Sequence, residues 1–168
     1  MDDWQERVDA VWAAAPELGE RAVIAAIDAL AAELPDDDPR GPFESAGARD
    51  SAGLEAEAEP RYRRALELGL SGRARVEAHI QLASTIRNLG RPAESLALLD
   101  EVALDAGDLA DAVAAFRALA LASAGEADAA AAVALMALAP HLTQYRRAVG
   151  AYARQLVAPE EHDAAGGA

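Results

Sequence analysis

The feature that most constrains the fold of this chain is a glycine that returns at almost constant spacing. The four glycines are Gly19, Gly53, Gly90 and Gly125, and the intervals between them are 34, 37 and 35 residues. Each lies between two stretches with the apolar periodicity of a helix. Glycine can adopt the left-handed conformation that ends a helix, because it has no Cβ. The spacing therefore predicts four helical hairpins, each turning at one of these glycines.

Alignment on the glycines brings mostly small residues into register at three positions. Five residues after each glycine stand Ile24, Ala58, Ser95 and Ala130. Twelve residues after it stand Ala31, Ala65, Val102 and Ala137. Seven residues before it stand Trp12, Ala46, Ala83 and Ala118. Small side chains at these positions would let the two helices of a hairpin cross closely. Trp12 and Ile24 break the rule in the first hairpin, as a terminal unit that lacks one neighbour often does.

Composition supports an all-α fold. Apolar residues make up 52% of the chain, alanine dominates them, and no stretch alternates apolar and polar residues as a half-buried strand does. We predict helices at 2–14, 20–34, 42–52, 55–69, 73–89, 92–104, 108–124, 126–138 and 141–157. The run PDDDPR at 35–40 predicts a linker, Pro60 predicts a kink or a later helix start, and 158–168 is expected to be a disordered tail.

Two segments carry a resemblance to a known repeat. They are FESAGARDSAGLEAEAEPRYRRALELG, at 43–69, and AHIQLASTIRNLGRPAESLALLDE, at 78–101. With ASAGEADAAAAVALMALAP they resemble the tetratricopeptide repeat, and in particular a small bacterial family called group 5. The likeness covers about 40–157. It implies a right-handed α-α superhelix of antiparallel hairpins with a C-terminal capping helix, and a non-catalytic scaffold that binds a partner in its concave groove.

The first hairpin, at 1–34, matches the repeat weakly. It departs from the pattern at Asp28, where an aromatic or large apolar residue is usual. This hairpin is therefore either a degenerate repeat or a helical cap, and we expect it to form one continuous domain with 41–157.

Charge and residue types narrow the classes of partner. The net charge is −14, which disfavours binding to nucleic acid or to an anionic membrane surface. The chain has no cysteine, so disulfides and thiolate chemistry are excluded. The acidic start MDDWQERVD has no apolar core of a signal peptide, and the longest apolar run, 129–140, is too short to span a bilayer. We expect a soluble, cytoplasmic protein.

No set of residues predicts catalysis, a cofactor or a metal site. The three histidines, His79, His141 and His162, are far apart and none has a helical metal-site partner. The aspartates at 36–38 lack the spacing of a calcium loop and indicate an acidic linker. An arginine cluster could bind a phosphate or acidic peptide, or form salt bridges with neighbouring glutamates. The arginines are at 61, 63, 64, 73 and 75, and the glutamates at 57, 59, 67 and 77.

A partner groove would be lined by the first helix of each hairpin. From helical geometry the candidate partner-binding residues are Phe43, Asp50, Ile80, Ser84, Arg87, Asn88 and Leu119, with Gly47, Ser51, Ala115, Ala122 and Ser123 on the same faces. Arg87 and Asn88 are the best candidates for polar contacts. Asp50 could instead pair with Arg87 within the scaffold. The leading hypothesis is a protein or peptide partner; self-association through alanine-rich end faces and a small-ligand sensor are the alternatives.

Overall fold

The computed structural model describes residues 3–158, and this part of the chain contains nine α-helices and no strand. The helices are α1 (Asp3–Leu18), α2 (Glu20–Ala31), α3 (Arg40–Asp50), α4 (Glu55–Glu67), α5 (Gly72–Asn88), α6 (Pro92–Asp100), α7 (Ala110–Ser123), α8 (Ala127–Leu138) and α9 (Arg146–Gln155). The all-α prediction is confirmed. The last helix begins five residues later than predicted, because a 3₁₀ turn at Ala139–His141 ends the preceding hairpin. The tail predicted at 158–168 lies, beyond Ala158, outside the described residues.

The repeated glycines occupy the turn of each hairpin. Gly19, Gly53, Gly90 and Gly125 have φ of 80°, 68°, 81° and 86°, the left-handed region that favours glycine. In the last three turns the residue after the glycine donates its N–H to a carbonyl five residues earlier, as in Leu54 to Arg49 at 2.9 Å. This bond satisfies a carbonyl that the end of the helix leaves free. The repeat in the sequence is therefore a repeat of helix ends.

The small residues lie where the helices of a hairpin meet. In the third hairpin, Ser95 of α6 donates its hydroxyl proton to the carbonyl of Ala83 in α5 at 2.7 Å, and both residues are buried. Ala46 and Ala58 hold the equivalent positions in α3 and α4 and are fully buried. A larger side chain at Ala83 would meet the facing helix, because interiors are close-packed.

Pro60 lies inside α4 without delaying its start, which is at Glu55. The expected later start is therefore wrong. Packing explains the continuous helix, since Ala58 before the proline and Tyr62 after it are both fully buried. Pro60 itself is exposed, on the side where a missing N–H bond is least costly.

Each helix packs against the next along the chain, and α5 also packs against α3 and α7. The largest core cluster joins the second, third and fourth hairpins, and its members include Tyr62, Leu82, Ile86, Leu99 and Val113. A second cluster around Trp4, Val8 and Ile27 fills the first hairpin. The first helices of the last three hairpins, α3, α5 and α7, therefore pack against one another in that order.

The first hairpin is attached to the second through α2 and α3. A Cβ built on Gly41 would lie 3.6 Å from the Cβ of Ala31, so the two helices approach closely there. Asp28, the residue that departs from the repeat pattern, accepts hydrogen bonds from Arg49 Nη2 at 2.7 Å and from Ser45 Oγ at 2.6 Å. Arg49 is buried in α3. Asp28 thus departs from the repeat pattern at a position where it neutralises a buried arginine of the next hairpin.

Candidate binding groove

A cavity of about 690 Å³ opens along the first helices of the first three hairpins. Residues of α1, α3 and α5 supply nearly all of its wall, and Tyr62 of α4 closes one side. The lining residues are Gln5, Asp9, Trp12, Phe43, Glu44, Gly47, Asp50, Ser51, Tyr62, Glu77, Gln81, Ser84 and Asn88.

Four of the seven candidate residues line this cavity, namely Phe43, Asp50, Ser84 and Asn88. The other three lie elsewhere. Ile80 is 6% exposed and belongs to the core between the hairpins. Arg87 points to α7, where its Nη1 lies 3.5 Å from the hydroxyl of Ser123, and Leu119 is half-exposed outside the cavity.

Glu44 and Gln81 line the cavity beside predicted residues of the same helices, but neither is among the residues predicted from the sequence. Glu44 and Gln81 both precede their turn glycine by nine residues, Gly47 and Ser84 by six, and Ser51 and Asn88 by two. Positions three and seven residues apart lie on one face of a helix. Phe43 and Ile80 both precede their glycine by ten residues, but only Phe43 lines the cavity, because Ile80 is buried in the core. A comparison of polar residues at fixed distance from the glycine would have found Gln81.

Aromatic side chains form part of the wall. The rings of Phe43 and Tyr62 are in contact, with centroids 6.3 Å apart and planes tilted by 55°. Trp12 reaches from α1 to α3, where its Nε1–H donates to Glu44 Oε2 at 2.8 Å. A Cβ on Gly47 would lie 3.5 Å from the Trp12 ring, so the glycine leaves space beside it. This contact with α3 explains why the first hairpin has tryptophan where the others have alanine.

Asp50 is held by hydroxyl groups of two neighbouring helices. Thr85 donates its hydroxyl proton to Asp50 Oδ1 at 2.9 Å, and Tyr62 Oη lies 3.4 Å from Oδ2 and 2.8 Å from Gln81 Oε1. The expected alternative, a pair with Arg87, is not formed. Burial raises the pKa of Asp50 above its ordinary value, and the nearby Glu55 raises it further.

Glu44 is the most confined carboxylate of the wall. Burial raises its pKa, the hydrogen bond from Trp12 opposes that rise, and the charges of Asp9 and Glu77 add to it. Asp9 itself accepts a hydrogen bond from Gln5 at 2.9 Å. None of the residues that line the cavity is an arginine, and the chain contains no lysine. The wall is therefore acidic, aromatic and rich in amide and hydroxyl groups.

Three members of the arginine cluster, Arg63, Arg64 and Arg73, form salt bridges. Arg61 instead donates to the backbone carbonyl of Glu57 at 2.6 Å. Arg63 pairs with Glu59 and Glu94, and Arg91 contacts the same two glutamates. The pKa of Glu59 is lowered, because the hydrogen bonds from Arg91 and Arg63 outweigh its burial. Further pairs join Arg64 to Glu67 and Arg73 to Glu77. Of the two interpretations of this cluster, the contacts favour the salt bridges.

The histidines have structural partners. His79 is buried, with Nδ1 2.8 Å from the carbonyl oxygen of Arg75, and His141 lies 2.9 Å from Asp111. His162 lies outside the described residues. Between residues 3 and 158 no three His, Asp or Glu side chains come together as a metal ion would require. Over the same range, no helix combines the length and the apolar character needed to cross a membrane.

A family model described as Tetratrico peptide repeat matches residues 39–156, which is well over half of the chain. The chain belongs to this family. The match begins at the residue before α3, so it includes the second, third and fourth hairpins and α9 of this tetratricopeptide repeat protein. Neither the curated proteins nor the solved structures with which the chain was compared include a match. Membership of a tetratricopeptide repeat family indicates a protein-interaction scaffold.

Proposed function

We propose that the cavity of α1, α3 and α5 binds a segment of a partner protein and that the chain acts as a scaffold rather than a catalyst. In this proposal the hairpins stack as a right-handed solenoid, the first helices line its concave face, and α9 caps its end. The observation that carries the proposal is the cavity itself, since three successive first helices supply its wall. Side-by-side packing of α3, α5 and α7 is consistent with such a stack.

The chemistry of the wall suits a peptide segment. A volume of about 690 Å³ is in the usual range of ligand sites. Trp12 and Phe43 offer flat apolar area that costs little side-chain entropy to order. Gln5, Gln81 and Asn88 offer amide groups that can pair with the N–H and C=O groups of a bound backbone. We therefore propose Phe43, Asp50, Ser84 and Asn88, with the newly identified Trp12, Glu44 and Gln81, as contact residues.

Filling the cavity tests this proposal. In Gly47→Leu a side chain would project into the cavity from α3, beside Trp12. The helix should persist, because leucine is a better helix former than glycine. Ala97→Leu adds a similar volume on the exposed side of α6 and is the matched control.

Both variants and the unmodified protein would be screened against a displayed library of random peptides. We expect peptides that bind the unmodified protein and Ala97→Leu but not Gly47→Leu, with circular dichroism showing the same helix content in all three. The proposal is contradicted if every peptide that binds the unmodified protein also binds Gly47→Leu, or if no peptide binds.

Self-association is a second candidate, favoured by exposed apolar residues near the C-terminal end. Met136, Leu138, Tyr152 and Val157 are each 48–65% exposed. Such residues, gathered on α8, α9 and the residues that follow, are typical of an interface. Light scattering over a range of concentrations tests this function, and a strict monomer at high concentration would exclude it.

A further inference from the structure

The cavity has an imbalance of charge that residues 3–158 do not neutralise. Asp9, Glu44, Asp50 and Glu77 contribute carboxylates to the wall, and no lining residue is an arginine. Only Glu77 has an arginine partner, Arg73, at 2.8 Å. The wall is therefore negative where a partner segment would lie.

Glu44 and Asp50 are the informative members of this set. The charged groups that act on Glu44 are Asp9 of α1 and Glu77 of α5, and the one that acts on Asp50 is Glu55 of α4. Their hydrogen-bond donors are neutral, namely the indole of Trp12 for Glu44 and the hydroxyls of Thr85 and Tyr62 for Asp50. Each carboxylate is thus partly removed from water without a neighbouring cation, which is unfavourable for its charged form.

Two half-buried carboxylates outside the cavity, Asp28 and Glu59, form salt bridges with arginine. Asp28 is paired with Arg49, and Glu59 is paired with Arg63 and Arg91. Both have a lowered pKa, which is the opposite of Glu44 and Asp50. Between residues 3 and 158, Asp28 and Glu59 therefore have the arginine partners that Glu44 and Asp50 lack.

The type of cation follows from the rest of the wall. Because no three carboxylates in the described part of the chain are gathered as a metal ion requires, a small ion does not fit. Trp12 and Phe43 lie in the same wall and can contact the aliphatic stem or the guanidinium plane of a long basic side chain. Glu44 and Asp50 are six residues apart on α3, or about 9 Å along its axis. Roughly three residues of extended chain cover that distance.

We propose that the partner segment is cationic and places arginine or lysine side chains against Glu44 and Asp50. This inference rests on the proposed function. The stems of these side chains lie along Trp12 and Phe43. In the complex the incoming cations supply the charge partners that Glu44 and Asp50 do not find among the described residues. The groove thereby selects basic segments and rejects acidic ones by repulsion.

Three synthetic peptides test the proposal. Each is short, blocked at both ends and built on alanine and glycine, with arginine, glutamine or glutamate at two positions three residues apart. Trp12 emission reports binding in a Trp4→Phe background, because these are the two tryptophans of the chain. We expect the arginine peptide to bind at least about tenfold more tightly than the glutamine peptide, since a charge-assisted hydrogen bond contributes more than a neutral one. The glutamate peptide should not bind measurably.

Two double variants test whether the preference for the arginine peptide depends on Glu44 and Asp50. In Glu44→Gln with Asp50→Asn the shape is kept and each side chain retains one acceptor oxygen, for Trp12 and for Thr85 respectively. The preference for arginine should fall by about tenfold or more. Glu6→Gln with Asp36→Asn removes the same charge from exposed positions and should keep the preference. Lowering the pH from about 7.5 to about 5 should reduce the affinity for the arginine peptide. The reduction should be larger in the unmodified protein than in the Glu44 and Asp50 double variant.

Two outcomes separate this inference from the proposed function. If the library peptides rejected by Gly47→Leu are neutral or acidic, and the arginine and glutamine peptides bind equally, the groove binds peptides but the cationic partner is wrong. If no library peptide depends on the cavity, the proposed function fails as well. Both the proposed function and the cationic partner are supported if the peptides rejected by Gly47→Leu are enriched in arginine or lysine and this enrichment is lost in the Glu44 and Asp50 double variant.

Discussion

Asp28 and Glu44 are both half-buried carboxylates, but the nearest charges have opposite signs. Hydrogen bonds from Arg49 lower the pKa of Asp28, whereas burial raises that of Glu44. A carboxyl group with a lowered pKa in the folded state contributes stability at neutral pH, and this is lost as the pH falls through that pKa. A carboxyl group with a raised pKa has the opposite effect, because its ionised form is disfavoured in the folded protein. Acidification therefore relieves the cost at Glu44 before it removes the contribution of Asp28.

Asp28→Ala should lower the free energy of unfolding by about 2–3 kcal/mol at pH 7, since it leaves the buried Arg49 without its main partner. The value lies below that of a fully buried pair because Asp28 keeps contact with water and Glu57 lies 3.4 Å from Arg49 Nε. Urea unfolding measures the change, and Asp36→Ala in the exposed linker is the control. Equal midpoints for the two variants would contradict the assigned role of Asp28.

Glu44→Gln should raise the free energy of unfolding at pH 7 by about 0.5–1 kcal/mol, the usual size of a stabilising substitution. Glutamine can still accept the hydrogen bond from Trp12 and carries no charge that burial disfavours. The gain should shrink as the pH falls and Glu44 of the unmodified protein becomes protonated. Urea unfolding at several pH values, with Glu6→Gln for comparison, checks both statements; a variant less stable at every pH disagrees with them.

At the scale of the element, each hairpin is defined by a glycine turn and by a close crossing of its two helices. Helix bounds follow the apolar periodicity to within a few residues over most of the chain, because each helix must bury one stripe. Pro60 shows that packing can override a local preference, since buried residues on both sides hold α4 together. The helix crossings require small side chains, so a larger side chain at a crossing should lower the free energy of unfolding.

Ala83→Leu should destabilise the protein by about 1–3 kcal/mol through overpacking against α6. Ala83 is fully buried, and its carbonyl accepts a hydrogen bond from Ser95, so no space is open to a larger side chain. Ala97→Leu makes the same change at an exposed position of the facing helix and should be nearly neutral. Thermal unfolding of both variants tests the crossing, and equal melting temperatures would refute it.

At the scale of the whole molecule, neighbouring hairpins pack against one another. The family match begins at residue 39, yet the first hairpin covers α3 through Ala31 and Asp28 and supplies Trp12 to the cavity. In a chain of stacked units, stability comes largely from the interfaces between neighbours. The first hairpin, outside the match, therefore packs against the matched part and lines the candidate site, and we predict that it also stabilises the matched part.

Deletion of residues 1–38 should lower the free energy of unfolding of the remaining chain by at least about 3 kcal/mol, because Arg49 loses Asp28 and the apolar face of α3 is exposed to water. Urea unfolding followed by circular dichroism measures this change. A truncated chain with an unchanged midpoint would show that the matched region folds independently of the first hairpin.

The sequence by itself determined the helices, the turns and the family. Glycine at an interval of about 35 residues fixes where helices end, because no other residue takes the left-handed conformation so readily. These signals are local, or they repeat along the chain, so they can be recognised without knowing the distance between helices.

Only the tertiary structure decided which face of each first helix lines the cavity. One residue along a helix turns the side chain by about 100°, which separates Ile80 in the core from Gln81 in the wall. Whether Asp50 meets Arg87 or Thr85, and whether Asp28 meets water or Arg49, depends on helices far apart in sequence. The acidic character of the cavity arises in the same way, from carboxylates of three helices whose orientation is set by packing and not by local propensity.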